Sequence, residues 1–266
     1  MAYRLLLRIV ALLGMVLLSG HPAFADQGSC TIVLMHGKWG GAKSPHLDRL
    51  ATALASQCAV ERPDMPWSRS KVYNRSYPDA LSQVHEMVVK ARSAGSTRVF
   101  IGGMSMGANA ALAYQATYGD ADGLILIAPG HLPDRYYAME EGTRKAVDAA
   151  KQLVREGKSD VLVPLRDSNQ GQRKTFPVKA AVLISYFDPE GSGVMQRSAK
   201  GITKATPTLY VVGARDPLYV EGPGFIYAHL PSHAGSRYSV IKEDHAGTPD
   251  AATVLVNDWV RERLQP

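Results

Sequence analysis

Apolar and polar positions divide the chain into two alternating kinds of stretch. Short runs with no polar alternation lie at 30–35 (CTIVLM), 59–62, 97–102 (TRVFIG), 123–128 (GLILIA), 208–212 (TLYVV) and 238–241. Such a run is what a parallel strand needs when helices cover both of its faces. Between the runs, apolar residues recur at helical spacing. A helix from Ser44, read as its N-cap, to about Gln57 carries Leu47, Leu50 and Leu54, and one over 79–94 carries Leu81, Val84, Met87 and Val88. A small-residue helix follows Gly107, another helix is expected at 223–230, and the last covers 249–264, with Ala252, Leu255, Val256, Trp259 and Val260 on its buried face. Residues 63–77 read as an irregular loop punctuated by prolines. The alternation predicts an α/β fold: a mostly parallel central sheet, right-handed crossovers and helices on both faces.

The pattern breaks over 131–204. A charged helix at about 134–156, a hairpin pairing 161–165 with 175–178 around Asp167-Ser168-Asn169-Gln170-Gly171, and an apolar helix near 179–187 are expected there. This stretch reads as a cap inserted over the C-terminal edge of the sheet.

Composition changes the picture first at the N-terminus. Arg4 and Arg8 supply a positive start, Leu5 to Leu18 is otherwise almost wholly apolar, and Ala23-Phe24-Ala25 fits the small-x-small cleavage rule. Residues 1–25 are read as a secretory signal peptide cut before Asp26, an uncleaved anchor being the alternative. What remains, 26–266, suits one domain with an ample core. Loss of the two arginines leaves 28 basic and 24 acidic residues, a formal +4, and no basic-aromatic motif points to nucleic acid. No further transmembrane candidate appears, and oligomeric state is silent. Export makes a disulfide between Cys30 and Cys58 plausible, because parallel neighbouring strands would put both at one sheet edge. Closing a loop of this size stabilises by about 3.5 kcal/mol on the chain-entropy model; two buried free thiols are the other reading. No Cys/His cluster offers a metal site, and no cofactor is implied.

The candidate chemistry sits where strands end. Gly103-Met104-Ser105-Met106-Gly107 lies between a buried strand and a helix. A sharp turn there strains the central residue and requires small neighbours two positions away; it lifts the Ser105 hydroxyl off the sheet beside a helix N-terminus. Asp216, in Gly213-Ala214-Arg215-Asp216-Pro217, and His245, in Glu243-Asp244-His245-Ala246-Gly247, also follow strands. In a parallel sheet all such loops meet at one edge, where ligands bind.

With His36-Gly37 after the first strand, these motifs in this order resemble the α/β-hydrolase superfamily over about 30–264, with 131–204 matching only as a variable cap. They identify the superfamily and no subfamily. The resemblance implies a serine hydrolase acting on an ester, thioester or amide. Ser105 would be the nucleophile, His245 the general base and later acid, and Asp216 the group holding the histidine tautomer. It points to the backbone N–H groups of Met106 and Lys38 as oxyanion donors, with Trp39 as runner-up for the second. Superfamily members with an aspartate nucleophile, the dehalogenases and epoxide hydrolases, are disfavoured by Ser105. Asp134 and Asp244 are rival acids, His36 reads as a structural loop histidine, and Trp67, Tyr73 and Tyr77 either line the entrance or pack. The cap holds 13 basic and 9 acidic residues against 15 of each elsewhere in 26–266, an excess that either attracts an anionic substrate or surface or is only solvated. A catalytically silent binding or scaffold protein of the same fold is the alternative function.

Overall fold

The computed structural model describes residues 30–265; the leader read at 1–25 lies outside the described residues. The chain runs β1 (Cys30–Met35), α1 (Asp48–Leu54), β2 (Ala59–Glu61), α2 (Tyr77–Ser93), β3 (Arg98–Ser105), α3 (Met106–Tyr118) and β4 (Gly123–Pro129). It continues through α4 (Pro133–Met139), α5 (Glu141–Arg155), the hairpin β5 (Leu162–Asn169) and β6 (Gln172–Lys179), α6 (Ala180–Phe187) and α7 (Met195–Gly201). It closes with β7 (Thr208–Gly213), β8 (Arg237–Ile241), α8 (Thr248–Ala251) and α9 (Thr253–Leu264). Six strands form one sheet in the order β2-β1-β3-β4-β7-β8, every neighbouring pair parallel.

The strand runs are continuous because each face of the sheet is covered. Along β1, Val33 and Met35 join the core on the α2 and α3 side, while Ile32 and Leu34 join the other. Phe100, Ile125, Ile127, Leu209 and Val211 continue that second core against Val256 and Trp259 of α9. Successive strand residues point to opposite faces, so two buried faces leave no place for polar alternation. Cys30 and Cys58 are joined by a disulfide, their Cα atoms 4.7 Å apart at the edge where β1 meets β2.

Several elements differ from expectation. The first helix begins as a 3-10 turn at Pro45–Leu47, its α-helical part ends at Leu54, and Ser44 makes no side-chain cap. The second starts at Tyr77: Ser76 caps it in a reciprocal box with Asp79, and Pro78 sits in the first turn, where no N–H is needed. The charged helix splits at Glu140, which turns extended (φ −110°, ψ 101°) and accepts hydrogen bonds from Ser168 Oγ and Thr143 Oγ1. The hairpin is longer than expected and turns on two residues only, Gln170 (φ 47°) and Gly171 (φ 80°). Asp167, Ser168 and Asn169 therefore belong to a strand, because two left-handed residues match the twist of the flanking strands. The helix expected at 223–230 is absent; only short 3-10 turns at Tyr219–Glu221 and Tyr227–His229 form, in a stretch broken by Gly222 (φ 63°), Pro223 and Gly224. The terminal helix divides at Ala252. Helix α7, inside the expected insert, packs instead on α3, with Gly201 beside Ala116. It serves as the crossover helix between β4 and β7.

Candidate active site

Ser105 ends β3 and Met106 begins α3, so the chain reverses within one residue. Ser105 holds φ 53°, ψ −118°, a conformation costing about 1–3 kcal/mol. A Cβ on Gly103 or on Gly107 would each come within 2.3 Å of the Met35 carbonyl oxygen. Only glycine fits at both positions, as the turn requires. The small residues of α3 let this helix lie close on the sheet, its alanines 108, 110, 111 and 113 all buried.

The three loops meet. His245 Nδ1 donates to Asp216 Oδ2 at 2.7 Å, which fixes the tautomer and leaves Nε2 available. Asp216 is buried, and its Oδ1 accepts from the Leu218 N–H at 2.8 Å, so both carboxylate oxygens are oriented. The rival acids lie otherwise. Asp244 turns back to its own loop, accepting from the Gly247 N–H, and Asp134 sits in the first turn of α4 without a bond to the histidine. Ser105 and His245 flank Gly130: a Cβ there would lie 2.8 Å from Ser105 Oγ and 3.4 Å from His245 Cε1. Gly130 carries no signal in the sequence; glycine is common after strands, and nothing local marks this one. With Ser105 Oγ as the reacting atom, Gly130→Ala is expected to cut kcat/KM by about a hundredfold, since a misplacement of an ångström costs that much, while the urea unfolding midpoint stays in place. A fully active variant would contradict the placement of the reacting centre.

The loop after β1 is pinned residue by residue. His36, buried and neutral, donates from Nδ1 to the Gly37 carbonyl and accepts from the Met65 N–H at Nε2; burial lowers its pKa. Trp67 Nε1 donates to the His36 carbonyl, and the Trp39 N–H donates to the Trp67 carbonyl at 3.0 Å. The Trp39 amide is thus spent on the fold. Among the described residues the Lys38 N–H has no backbone acceptor, and Met106 N–H is the first amide of a helix, beyond reach of any intrahelical carbonyl. Trp67, Tyr73 and Tyr77 are buried and pack: Tyr73 and Tyr77 lie edge-on to Tyr186. They line no entrance.

One buried charge cluster has no counterpart among the sequence motifs. Asp167 of β5 receives four hydrogen bonds. Lys38 Nζ (2.7 Å) and the Ser168 N–H (2.9 Å) reach Oδ1, and Trp39 Nε1 (3.0 Å) and Tyr73 OH (2.7 Å) reach Oδ2. Asn169 Nδ2 adds a bond to the Lys38 carbonyl. Burial alone would discharge the Lys38 amine; the Asp167 carboxylate outweighs it and holds its pKa above the usual value. Burial, reinforced by the same carboxylate, keeps Tyr73 protonated. The Lys38 side chain therefore ties the loop after β1 to the hairpin. The sequence hides this because Asp167 stands among turn-forming residues and reads as one of them.

His131, at φ 73°, bonds the Tyr186 carbonyl through Nε2, and burial followed by the nearby Lys38 charge lowers its pKa to about 3. Unfolded, its pKa would be about 6.5. Between these values the unfolded chain binds a proton that the folded chain refuses, so stability falls as pH drops from about 6.5 towards 3, by up to about 1.4 kcal/mol per unit from this group. Urea midpoints at pH 7 and 5 test this; His131→Asn should flatten the dependence.

A cavity of about 420 Å³ opens at Ser105, lined by His245, Asp216, Gly130, Leu132, Tyr136 and Leu218 together with Ser168–Gly171 of the hairpin. Among the described residues no His/Cys/Asp/Glu group could hold a metal ion, and no helix is long and apolar enough to cross a membrane.

Comparison with known proteins bears on the family and the fold. The model of the Alpha/beta hydrolase family matches residues 32–258. No curated protein matches the chain. Among solved structures, Est1E from Butyrivibrio proteoclasticus, seen with ferulic acid, superposes with a TM-score of 0.66 at 16% identity, covering 91% of this chain and 92% of that one. Paleococcus ferrophilus monoacylglycerol lipase gives 0.62 at 18% identity, covering 89% and 96%. An extracellular alpha/beta-hydrolase from a Paenibacillus species gives 0.52 at 16%, covering 88% and 98%. Likeness at this identity shows the fold, and the family match spans most of the chain: the protein belongs to the alpha/beta hydrolase family.

Proposed function

We propose that this protein is a serine hydrolase that cleaves an ester, or a thioester or amide, through an acyl-enzyme on Ser105. The observation that carries the reading is the meeting of three loops: a strained serine at a helix N-terminus, and a histidine whose Nδ1 is held by a buried, doubly bonded Asp216.

The chemistry follows from that arrangement. His245 Nε2 takes the Ser105 proton as Oγ bonds to the substrate carbonyl carbon. The oxyanion that forms accepts from the Met106 and Lys38 N–H groups, neither of which has a backbone acceptor among the described residues. Asp216 stabilises the imidazolium. Collapse breaks the bond to the leaving group, which receives the proton from His245. Water then attacks the acyl-enzyme, giving His245 a proton that returns to Ser105 as the acid leaves.

Residues 131–194, the part of the insert before α7, act as the cap in this reading, since the hairpin and α4 wall the cavity. The esterase and lipase relatives fit a small acyl substrate. The Cys30–Cys58 bond fits export to an oxidising compartment, periplasmic or extracellular, after removal of 1–25. A fluorophosphonate probe should add once to the folded wild type and not to Ser105→Ala, read by intact mass. Absence of an adduct would favour the silent binding or scaffold reading.

A further inference from the structure

Ser105 stands between two concavities of opposite character. The first is mostly apolar, walled by Pro129, Leu132, Tyr136, Pro217 and Leu218, its Arg215 paired with Glu243 and set against Asp244, and of the two it alone contains His245. The second, about 590 Å³, shares Ser105 and Lys38 with the first and runs along the loop after β1, past Trp39, Lys43, His46, Arg69 and Met104. None of the described residues lining it is acidic. Lys43 and Arg69 are exposed, and neither side chain is ion-paired among the described residues. Lys174 of the hairpin stacks its ammonium 5.0 Å from the Trp39 ring and brings a third positive charge to this wall. The Lys38 ammonium is not part of the count, because Asp167 neutralises it. Two carboxylates lie behind this wall: Asp167, engaged by Lys38 Nζ and Trp39 Nε1, and Asp64 behind Gly41, beside Lys71 at 3.6 Å.

The tetrahedral carbon assigns the halves of the substrate. Of its four substituents, one is Ser105 Oγ and one is the oxyanion turned to the Met106 and Lys38 amides. The leaving oxygen must face His245 to be protonated, so the leaving alcohol occupies the apolar cavity that His245 lines. The acyl group takes the remaining direction, along the cationic groove. We propose that this groove binds an anionic group carried by the acyl half, so that the substrate is a half-ester: an acyl chain ending in a carboxylate or similar anion, joined to a compact apolar alcohol. This rests on the serine-hydrolase reading and deepens it. It also relocates the role of the basic surplus. The open charges that matter are Lys43 and Arg69, outside the insert, with only Lys174 supplied by it.

Two unpaired cations within a Debye length of one anion favour it by about tenfold at low ionic strength, and salt removes most of that. The test compares mono(4-nitrophenyl) glutarate with 4-nitrophenyl pentanoate, which share a leaving group and chain length and differ in the terminal carboxylate. A third probe, 4-(pentanoyloxy)benzoate, puts the anion on the leaving group. Expected is a kcat/KM ratio of glutarate to pentanoate of about ten in roughly 20 mM salt, falling towards one in about 0.5 M. In the double variant K43E/R69E the ratio falls below one. In K200E/K204E, the same charge change with Lys204 at the opposite end of the strands beside Arg98, the ratio holds. Pentanoate turnover with no preference for glutarate, or a preference that survives K43E/R69E, overturns the proposal and leaves the hydrolase reading standing. A salt-sensitive preference for the benzoate instead overturns the assignment of the halves. Failure of every ester together with failure of fluorophosphonate labelling removes both readings.

Discussion

Ser105→Ala is expected to lower kcat by about a millionfold, and His245→Ala by a similar factor, with the double variant no worse than either alone. The two side chains act as one unit: a hydroxyl without a base is a poor nucleophile, and a base without a hydroxyl has no proton to take. Asp216→Asn should cost about ten-thousandfold, because an amide at that position lets the imidazole settle in the wrong tautomer, with Nε2 protonated towards the serine. Asp244→Asn and Asp134→Asn should cost less than about threefold, since neither carboxylate touches the ring. Stopped assays on 4-nitrophenyl pentanoate, with circular dichroism to show that each variant is folded, read all six. Additive losses for Ser105 and His245, or an Asp134 effect as large as that of Asp216, would sink the assignment.

Asp167→Ala is expected to have the second largest effect, on stability and activity together. It strips a buried ammonium of its counter-charge and leaves Trp39 Nε1 and Tyr73 OH without an acceptor. Breaking a buried pair from one side costs about 3–5 kcal/mol. The same contacts fix the loop that carries the Lys38 amide, so kcat should fall by about a hundredfold as that donor drifts, with KM little changed. Asp167 is a positioning residue in this view: it touches neither substrate nor the reacting atoms. Lys38→Met with Asp167→Asn separates its two effects. Removing both charges restores much of the stability, because the unpaired buried cation is gone, whereas kcat stays low. Thermal unfolding and a kcat-against-KM split on the same preparations decide it; recovery of kcat in step with stability would mean that Asp167 only supports the fold.

The need for glycine at 103 and 107 is legible in the sequence, since a one-residue reversal at Ser105 has no room for a Cβ on either side. The Met35 carbonyl, 2.3 Å from each built Cβ, is the atom that excludes it. The loops bearing Asp216 and His245 are legible for a similar reason: a polar residue directly after a buried strand has only the sheet edge to occupy. The helix expected at 223–230 does not form because Gly222, Pro223 and Gly224 override its apolar spacing. Asp167 reads as a turn residue because hairpin length depends on where two left-handed residues fall, and Asn169 is as good a turn former as Gln170.

What the sequence determined by itself was local or periodic. Continuous apolar runs dictated a parallel sheet buried on both faces, and the place of Ser105, Asp216 and His245 just after such runs put all three at its C-terminal edge. Tertiary structure alone decided which acid meets the histidine, because that turns on the direction of side chains in loops 29 residues apart. It alone showed which amide near Lys38 stays free, because the Trp67 carbonyl that engages Trp39 comes from a loop with no periodic signal. And it alone paired Lys38 with Asp167 across 129 residues: a buried charge is stable only with its partner, and nothing along the chain says which distant residue the fold will bring to it.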